Sequence, residues 1–207
     1  MNIINDYEEQ LEGVSGTFSD LPIKSTVQKE LDFWNDLTEE KEQAFPKLKS
    51  YWDYIGVQEW SPTGTPWSSA FISFVLKDQG FPKQSAHRNY IKEIIDKNGA
   101  WKAFSIPKTQ NLKLEVGNVL IKPRSGNYNN SHGDVVYMIK DGFAYLVGGN
   151  ISNTAKVTKI IEVDKDGFVK KRIPNYLVIL KKKDFKKKFI IPVLSLAVIV
   201  FATRLIK

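Results

Sequence analysis

Two hydrophobic periods divide this 207-residue chain: a helical spacing in its first half and the alternation typical of strands in its second half. The most apolar helical pattern predicts a helix between Thr65 and Gly80. Thr65 is the expected N-cap, Pro66 suits the first helical position, and Gly80 suits the C-terminal stop. Ser68 then falls in the first turn, where the helix dipole favours negative charge. This is a position that suits the nucleophile of an enzyme.

Helical spacing also appears on either side of that segment. The predicted helices are one from Ser25 to about Leu37 that opens on a capping-box pattern, one over 38–55 with a break or restart at Pro46, and one over 86–97 that Ser85 caps and Asn98-Gly99 end. The predicted division of the chain is a loosely ordered arm over 1–24, a helical N-terminal part over 25–57, a core over 58–180 and a C-terminal segment over 181–207.

The second half of the chain follows the strand period. Strands are predicted over 116–122, 134–139, 143–147, 157–163 and 176–180, with 169–173 as a further candidate and 100–115 as irregular chain. Hairpin signals occur at 140–142 and 164–167. Helices followed by antiparallel strands define an α+β domain, in which the N-terminal helices pack on an antiparallel sheet.

Composition limits the chemistry that the chain can carry. The absence of cysteine excludes disulfides, zinc–thiolate sites and a thiol nucleophile. Because His87 and His132 are the two histidines, a multi-histidine metal site is not expected, and neither is a cofactor. The net charge of +7 comes entirely from residues 181–207, which hold eight basic side chains and one acid. The other 180 residues are neutral overall, so no nucleic-acid partner is expected.

The C-terminal segment has the pattern of a membrane anchor. A lysine-rich run over 181–188 precedes fifteen uncharged residues over 189–203. If Arg204 reaches the interface, the apolar stretch continues to residue 206, close to the lower limit of about 17 residues for a bilayer span. A buried C-terminal helix is the alternative, but few small domains hold a helix that is apolar on every face. A membrane location through 189–206 is therefore expected, without a secretory signal peptide, and the lysines favour a cytoplasmic body.

A nucleophile, a base and an orienting group can be proposed from the residues alone. Ser68 is the candidate nucleophile and His132 the candidate base. Reflection of the hairpin about Asp141 places Asn150 opposite His132, which makes Asn150 the candidate orienting group. Each also has a structural interpretation: an inert serine at a crowded helix start, a histidine at a strand start and a turn residue. Glu59 is the alternative, as the general acid of a glycosidase-type cleavage.

Several blocks of sequence, in order, resemble a known family. They are Tyr51-Trp52, 65–73, Gly80-Phe81, 85–91, 131–136 and 148–152, and together they cover about residues 45–180. They are similar to the DUF2272 domain of bacteria and phages, whose layout resembles the NlpC/P60 and CHAP cell-wall hydrolases. The resemblance implies a papain-like fold and peptidoglycan as the substrate class.

Two positions depart from the NlpC/P60 and CHAP pattern. Ser68 stands where those enzymes carry cysteine, and Gly117-Asn118 stands where they usually carry Gly-Asp. Serine has a far higher pKa than cysteine and depends more strongly on its base. Trp67, His87 and Gly149 are the expected substrate-binding residues.

The resulting functional hypothesis is a membrane-anchored peptidoglycan hydrolase of amidase or endopeptidase type, acting as a phage virion or lysis protein. Its expected partners are peptidoglycan, the lipid bilayer and virion or membrane proteins. A catalytically silent cell-wall-binding or structural module on the same fold is one alternative. A glycan-cleaving enzyme of muramidase or transglycosylase type is another.

Overall fold

The computed structural model describes residues 21–97, 99–106, 111–124 and 127–183. Its helices are α1 (Leu21–Trp34), α2 (Phe45–Ile55), α3 (Ser68–Val75) and α4 (His87–Lys97), with short 3-10 helices at Glu42–Ala44 and Lys77–Gln79. Its strands are β1 (Trp101–Ser105), β2 (Val119–Arg124), β3 (Asn127–Lys140), β4 (Phe143–Ile151), β5 (Thr154–Glu162) and β6 (Val178–Lys182). The strands form one antiparallel sheet in the order β1-β6-β2-β3-β4-β5. The α+β prediction is confirmed.

The first two helices differ from their predicted bounds. The described part of helix α1 already includes Leu21, four residues before the predicted start, so Ser25 lies inside the helix. Helix α2 begins at Phe45 and carries Pro46 in its first turn, which confirms the predicted restart. Pro46 fits there because no intrahelical partner is needed for its missing N–H.

Helix α3 is shorter than the predicted segment over 65–80. Trp67, and not Thr65, precedes its first residue, while the Thr65 hydroxyl oxygen accepts a 2.8 Å hydrogen bond from the Ser61 N–H. Gly80 ends the following 3-10 helix at a φ of 65°, as predicted. Within α3, Ser69 and Ser73 donate to the carbonyls of Gln84 and Pro82 at 2.8 and 2.9 Å, respectively. These bonds let a helix with hydroxyl residues be buried on nearly every side.

The sheet corrects two expectations about the second half of the chain. Strand β1 lies within the segment predicted as irregular and pairs with β6, Trp101 opposite Lys182. It was missed because Trp101 alone is buried in this short edge strand, which leaves no alternation to detect. The candidate strand over 169–173 is not formed; Val169 makes only an isolated bridge with Val163. The predicted turn at Asp141-Gly142 is confirmed, with φ values of 53° and 78°.

Apolar side chains cover both faces of the sheet. One cluster joins the helices to one face, and includes Trp34, Trp52, Trp67, Phe71, Val119, Val135 and Val147. A second cluster covers the other face, and includes Leu112, Leu114, Leu120, Val136, Leu146, Ile161, Val169 and Ile179. The central strands therefore have no solvent-facing side, which explains their nearly continuous apolar sequence.

The part of the chain that the structure describes contains no helix with the length and apolar character needed to cross a bilayer. The expected anchor at 189–206 lies outside the described residues.

The start of helix α3 packs closely against β4 at Gly149. A Cβ atom built on Gly149 would lie 2.6 Å from the Cβ of Phe71 and 2.8 Å from the indole Cζ3 of Trp67. Both rings are fully buried, so neither has free space to move into. Gly149 was expected to bind substrate; it lies instead against core side chains.

We therefore expect Gly149→Ala to lower the free energy of unfolding by roughly 1–3 kcal/mol through overpacking. Urea denaturation at neutral pH measures the change. Gly99→Ala is the matched control, since a Cβ there would meet no atom within 4 Å. Equal stabilities for the two variants would contradict the close approach at Gly149.

Candidate active site

Ser68 lies at the base of a cleft between the helices and the strand ends. It is the first residue of α3 and is 7% exposed. The cleft has a volume of about 380 Å³. Its lining combines apolar, hydroxyl and charged side chains: Trp52, Val57, Glu59, Thr65, Pro66, Ser68, Ser69, Ser85, Ala86, His87, Arg124, Asn130 and Ser131.

The Ser68 hydroxyl has an imidazole as its hydrogen-bond partner. Its Oγ lies 2.7 Å from Nε2 of His87, the first residue of α4. The other ring nitrogen, Nδ1, is hydrogen-bonded to the Tyr90 hydroxyl. His87 and Tyr90 are three residues apart, which places both on one face of the helix. When Nε2 accepts from Ser68, Nδ1–H donates to the Tyr90 oxygen.

The surroundings of this chain of hydrogen bonds keep it uncharged. Burial, reinforced by the neighbouring His132, lowers the pKa of His87 from 6.5 to about 3. His87 is therefore neutral at pH 7 and has a lone pair for the Ser68 proton. Burial, together with the negative charge of Asp134, raises the pKa of Tyr90 well above its ordinary value. Tyr90 therefore remains a protonated hydroxyl that can fix the orientation of the imidazole.

A glycine in β3 makes room for His87 and Tyr90. A Cβ atom on Gly133 would lie 2.6 Å from the Tyr90 hydroxyl oxygen and 3.0 Å from Nδ1 of His87. Since both side chains are buried, any larger residue at position 133 would displace them. The approach of α4 to the sheet therefore depends on this glycine.

His132 is placed differently from the sequence prediction. The predicted base is fully buried, and its Nε2 lies 3.0 Å from Oδ1 of Asp134. Its ring centroid is 5.8 Å from that of His87. The structure thus brings Ser68 together with His87, a residue expected to line the cleft, and places His132 behind it.

A buried carboxylate, and not Asn150, faces His132. Asp134 also accepts a 2.5 Å hydrogen bond from the Tyr176 hydroxyl and lies 3.2 Å from the Lys122 ammonium. Burial alone would raise the pKa of Asp134, but the hydrogen bond from His132 and the Lys122 charge outweigh burial and hold that pKa well below its usual range. The carboxylate is therefore ionised throughout the neutral range.

Asn150 is the second-last residue of β4 and has a left-handed φ of 56°, at a point where the pairing of β4 with β5 shifts register. The register next to the predicted site agrees with the reflection about Asp141, since Val135 pairs with Val147. The backbone of Gly148, however, lies close to the His132 side chain, since a Cβ there would lie 2.7 Å from the imidazole Nε2. The sequence signal for Asp134 was its spacing of two from His132, which puts both side chains on one face of β3.

Trp67, expected to bind substrate, belongs to the core. It is fully buried and stacks on Trp34 at a centroid distance of 4.7 Å. Its indole N–H donates to Oε2 of Glu39 at 2.6 Å. Burial of the Glu39 carboxyl raises its pKa. Trp67 thus anchors the start of α3 from behind, and among the described residues it is not part of the cleft lining.

The start of α3 also presents backbone donors beside the nucleophile. The first hydrogen bond along the helix runs from the Phe71 N–H to the Trp67 carbonyl at 2.9 Å. The N–H groups of Ser68 and Ser69 come before that bond, at the positive end of the helix dipole. Such donors can stabilise an oxyanion that forms next to the Ser68 hydroxyl.

Metal ligands are not assembled in the described ranges, where no group of three or more His, Asp or Glu side chains could hold an ion.

No protein-family profile matches the chain, and no curated protein or solved structure matches it either.

Proposed function

We propose that this protein is a serine hydrolase of papain-like architecture that cleaves amide bonds in the peptides of peptidoglycan. The observation that carries the proposal is the 2.7 Å contact between Ser68 Oγ and His87 Nε2 at the base of an open cleft. A nucleophile at a helix start, an imidazole base and a third group that orients the base form the constellation used in acyl transfer. The papain-like architecture and the peptidoglycan substrate rest on the sequence resemblance.

The proposed reaction uses His87 twice. His87 Nε2 takes the proton of Ser68 as Oγ attacks the amide carbonyl, and the N–H groups at the start of α3 stabilise the oxyanion. His87 then gives that proton to the leaving amine, and the C–N bond breaks to leave an acyl-serine. Water attacks the acyl group with His87 again as base, which releases the carboxylic acid and restores Ser68. Tyr90 holds the imidazole in place throughout.

Cleavage of glycan strands is the second candidate reaction, because Glu59 lines the cleft. Most glycosidases need two carboxyl groups that flank the scissile bond. Among the described lining residues, Glu59 is the one acid. The serine–histidine pair therefore supports amide cleavage more directly than the single carboxylate supports glycan cleavage.

Product analysis separates these reactions. The full-length protein is incubated with purified sacculi, and the released fragments are examined by mass spectrometry and end-group labelling. Amide hydrolysis produces new primary amines, whereas glycan hydrolysis produces new reducing ends. New amines support the proposal; new reducing ends alone would favour Glu59, and intact sacculi would favour a catalytically silent binding module.

Membrane attachment through 189–206 is part of the proposal. It rests on the uncharged run over 189–203 and the preceding lysines. These lysines favour a cytoplasmic body, whereas peptidoglycan lies outside the membrane. Delivery by a phage, during entry or lysis, would reconcile the two. Protease protection of the body in intact spheroplasts would argue against display on the outer surface.

A further inference from the structure

One basic side chain reaches the cleft beside the proposed nucleophile and base. Arg124, the last residue of β2, is exposed and lines the same cleft as Ser68 and His87. It is the one cation among the described lining residues. Burial is the main reason why the pKa of His87 is low, but the Arg124 charge contributes, which places that charge within electrostatic reach of the base.

The Arg124 guanidinium contacts a buried pair of side chains, His132 and Asp134, through His132. The Nη2 atom of Arg124 lies 3.5 Å from Nδ1 of His132, which is the longest distance accepted for a hydrogen bond. The opposite nitrogen of that ring, Nε2, donates to the Asp134 carboxylate, so Nδ1 is the ring nitrogen that faces Arg124. Asp134 is itself held by Tyr176 and Lys122. A continuous series of contacts therefore leads from Asp134 through His132 to the Arg124 guanidinium at the cleft.

We propose that Arg124 binds a free carboxylate of the substrate next to the scissile amide, and that His132 is the positioning residue that orients Arg124. The proposal rests on the proposed amide hydrolysis and narrows its substrate to peptides that carry such a carboxylate. A guanidinium can donate two parallel N–H bonds to a carboxylate, a geometry that fixes orientation as well as charge. Ser131 and Asn130 line the same cleft and offer neutral hydrogen-bonding groups. The buried histidine thereby acquires a role that does not require contact with Ser68.

A pair of peptides tests this assignment. The probes are diacetyl-L-lysyl-D-alanyl-D-alanine and its C-terminal amide, which differ only in the carboxylate. Binding is measured by calorimetry with the full-length chain carrying Ser68→Ala, so that no probe is consumed. We expect Arg124→Gln to raise Kd for the acid at least tenfold and to leave Kd for the amide within about twofold, since one charge-assisted pair is removed.

Two further variants keep the result interpretable. Arg172→Gln makes the same change at an exposed arginine outside the described cleft lining and is expected to leave both affinities unchanged. His132→Gln is expected to reduce the preference for the acid over the amide. Its circular dichroism spectrum is compared with that of the parent to verify that the variant is folded. Failure of the parent to prefer the acid, or equal weakening of both probes by Arg124→Gln, would overturn the proposal.

The outcome is separable from that of the proposed reaction. Preference for the acid that depends on Arg124, in a protein that releases no new amines from sacculi, would support the binding site and contradict the hydrolase. Release of amines with the same KM in Arg124→Gln would support the hydrolase and contradict the binding site.

Discussion

Ser68→Ala is expected to lower the rate of amine release from peptidoglycan by at least about a thousandfold, because the substitution removes the nucleophile. His87→Gln should lower the rate to a similar level, since Gln can accept a hydrogen bond from Ser68 but cannot take its proton. The double variant should be no slower than either single variant, because groups that act as one unit are not additive. Initial rates on sacculi, compared at equal protein concentration, measure all three.

Ser73→Ala is the matched control for this series. Ser73 lies in the same helix, is fully buried, and donates its hydroxyl to the Pro82 carbonyl at 2.9 Å, away from the cleft. Its loss should reduce stability by about 1 kcal/mol and leave the rate unchanged within a few-fold. If Ser68→Ala retained the parent's rate, the nucleophile assignment would be wrong even though the enzyme is active.

Acid sensitivity that depends on His87 is the second large expected effect. The pKa of His87 falls from 6.5 to about 3 on folding, mainly through burial. Between these values the unfolded chain binds one more proton than the folded chain at this residue. The free energy of unfolding therefore decreases as the pH falls below 6.5, by up to about 1.4 kcal/mol per pH unit from this residue. The stability is complete above pH 6.5 and is lost toward pH 3.

Comparison with His87→Gln isolates this contribution, because Gln does not titrate. Urea denaturation at pH 7, 6 and 5 should show that the parent loses about 2 kcal/mol more than the variant between pH 7 and pH 5. Asp134 does not interfere in this range. Its lowered pKa means that its own contribution is lost only below its ordinary value of 3.8. Parallel curves for parent and variant would show that His87 titrates normally in the folded protein.

The role of His87 as base and its effect on stability in acid have one cause. Contact with Ser68 and Tyr90 requires the imidazole to lie inside the protein, and burial makes protonation of the ring costly. A proposed base that is ready to accept a proton at pH 7 is then also the residue that weakens the fold in acid. His87→Gln should therefore be inactive and more resistant to acid.

Local patterns in the sequence determined the element types and several of their ends. Pro46 and Gly80 act through their own backbone geometry, and the Asp141-Gly142 turn needs two left-handed residues. The first-turn position of Ser68 was also predictable, because it depends only on where one apolar helix begins. The α+β class followed from the change of hydrophobic period between the two halves of the chain.

The partner of Ser68 was decided only by the tertiary structure. His87 and His132 were both available from the sequence, and the choice between them depends on how α3 and α4 pack on β3. Two glycines of the sheet permit that packing because they have no side chain. Gly133 leaves room for His87 and Tyr90, and Gly149 leaves room for Phe71 and Trp67. Such close approaches involve residues up to about eighty positions apart, so no local period contains them. The sequence by itself determined a serine at a helix start and two histidines; three-dimensional packing put one histidine on that serine and the other behind Arg124.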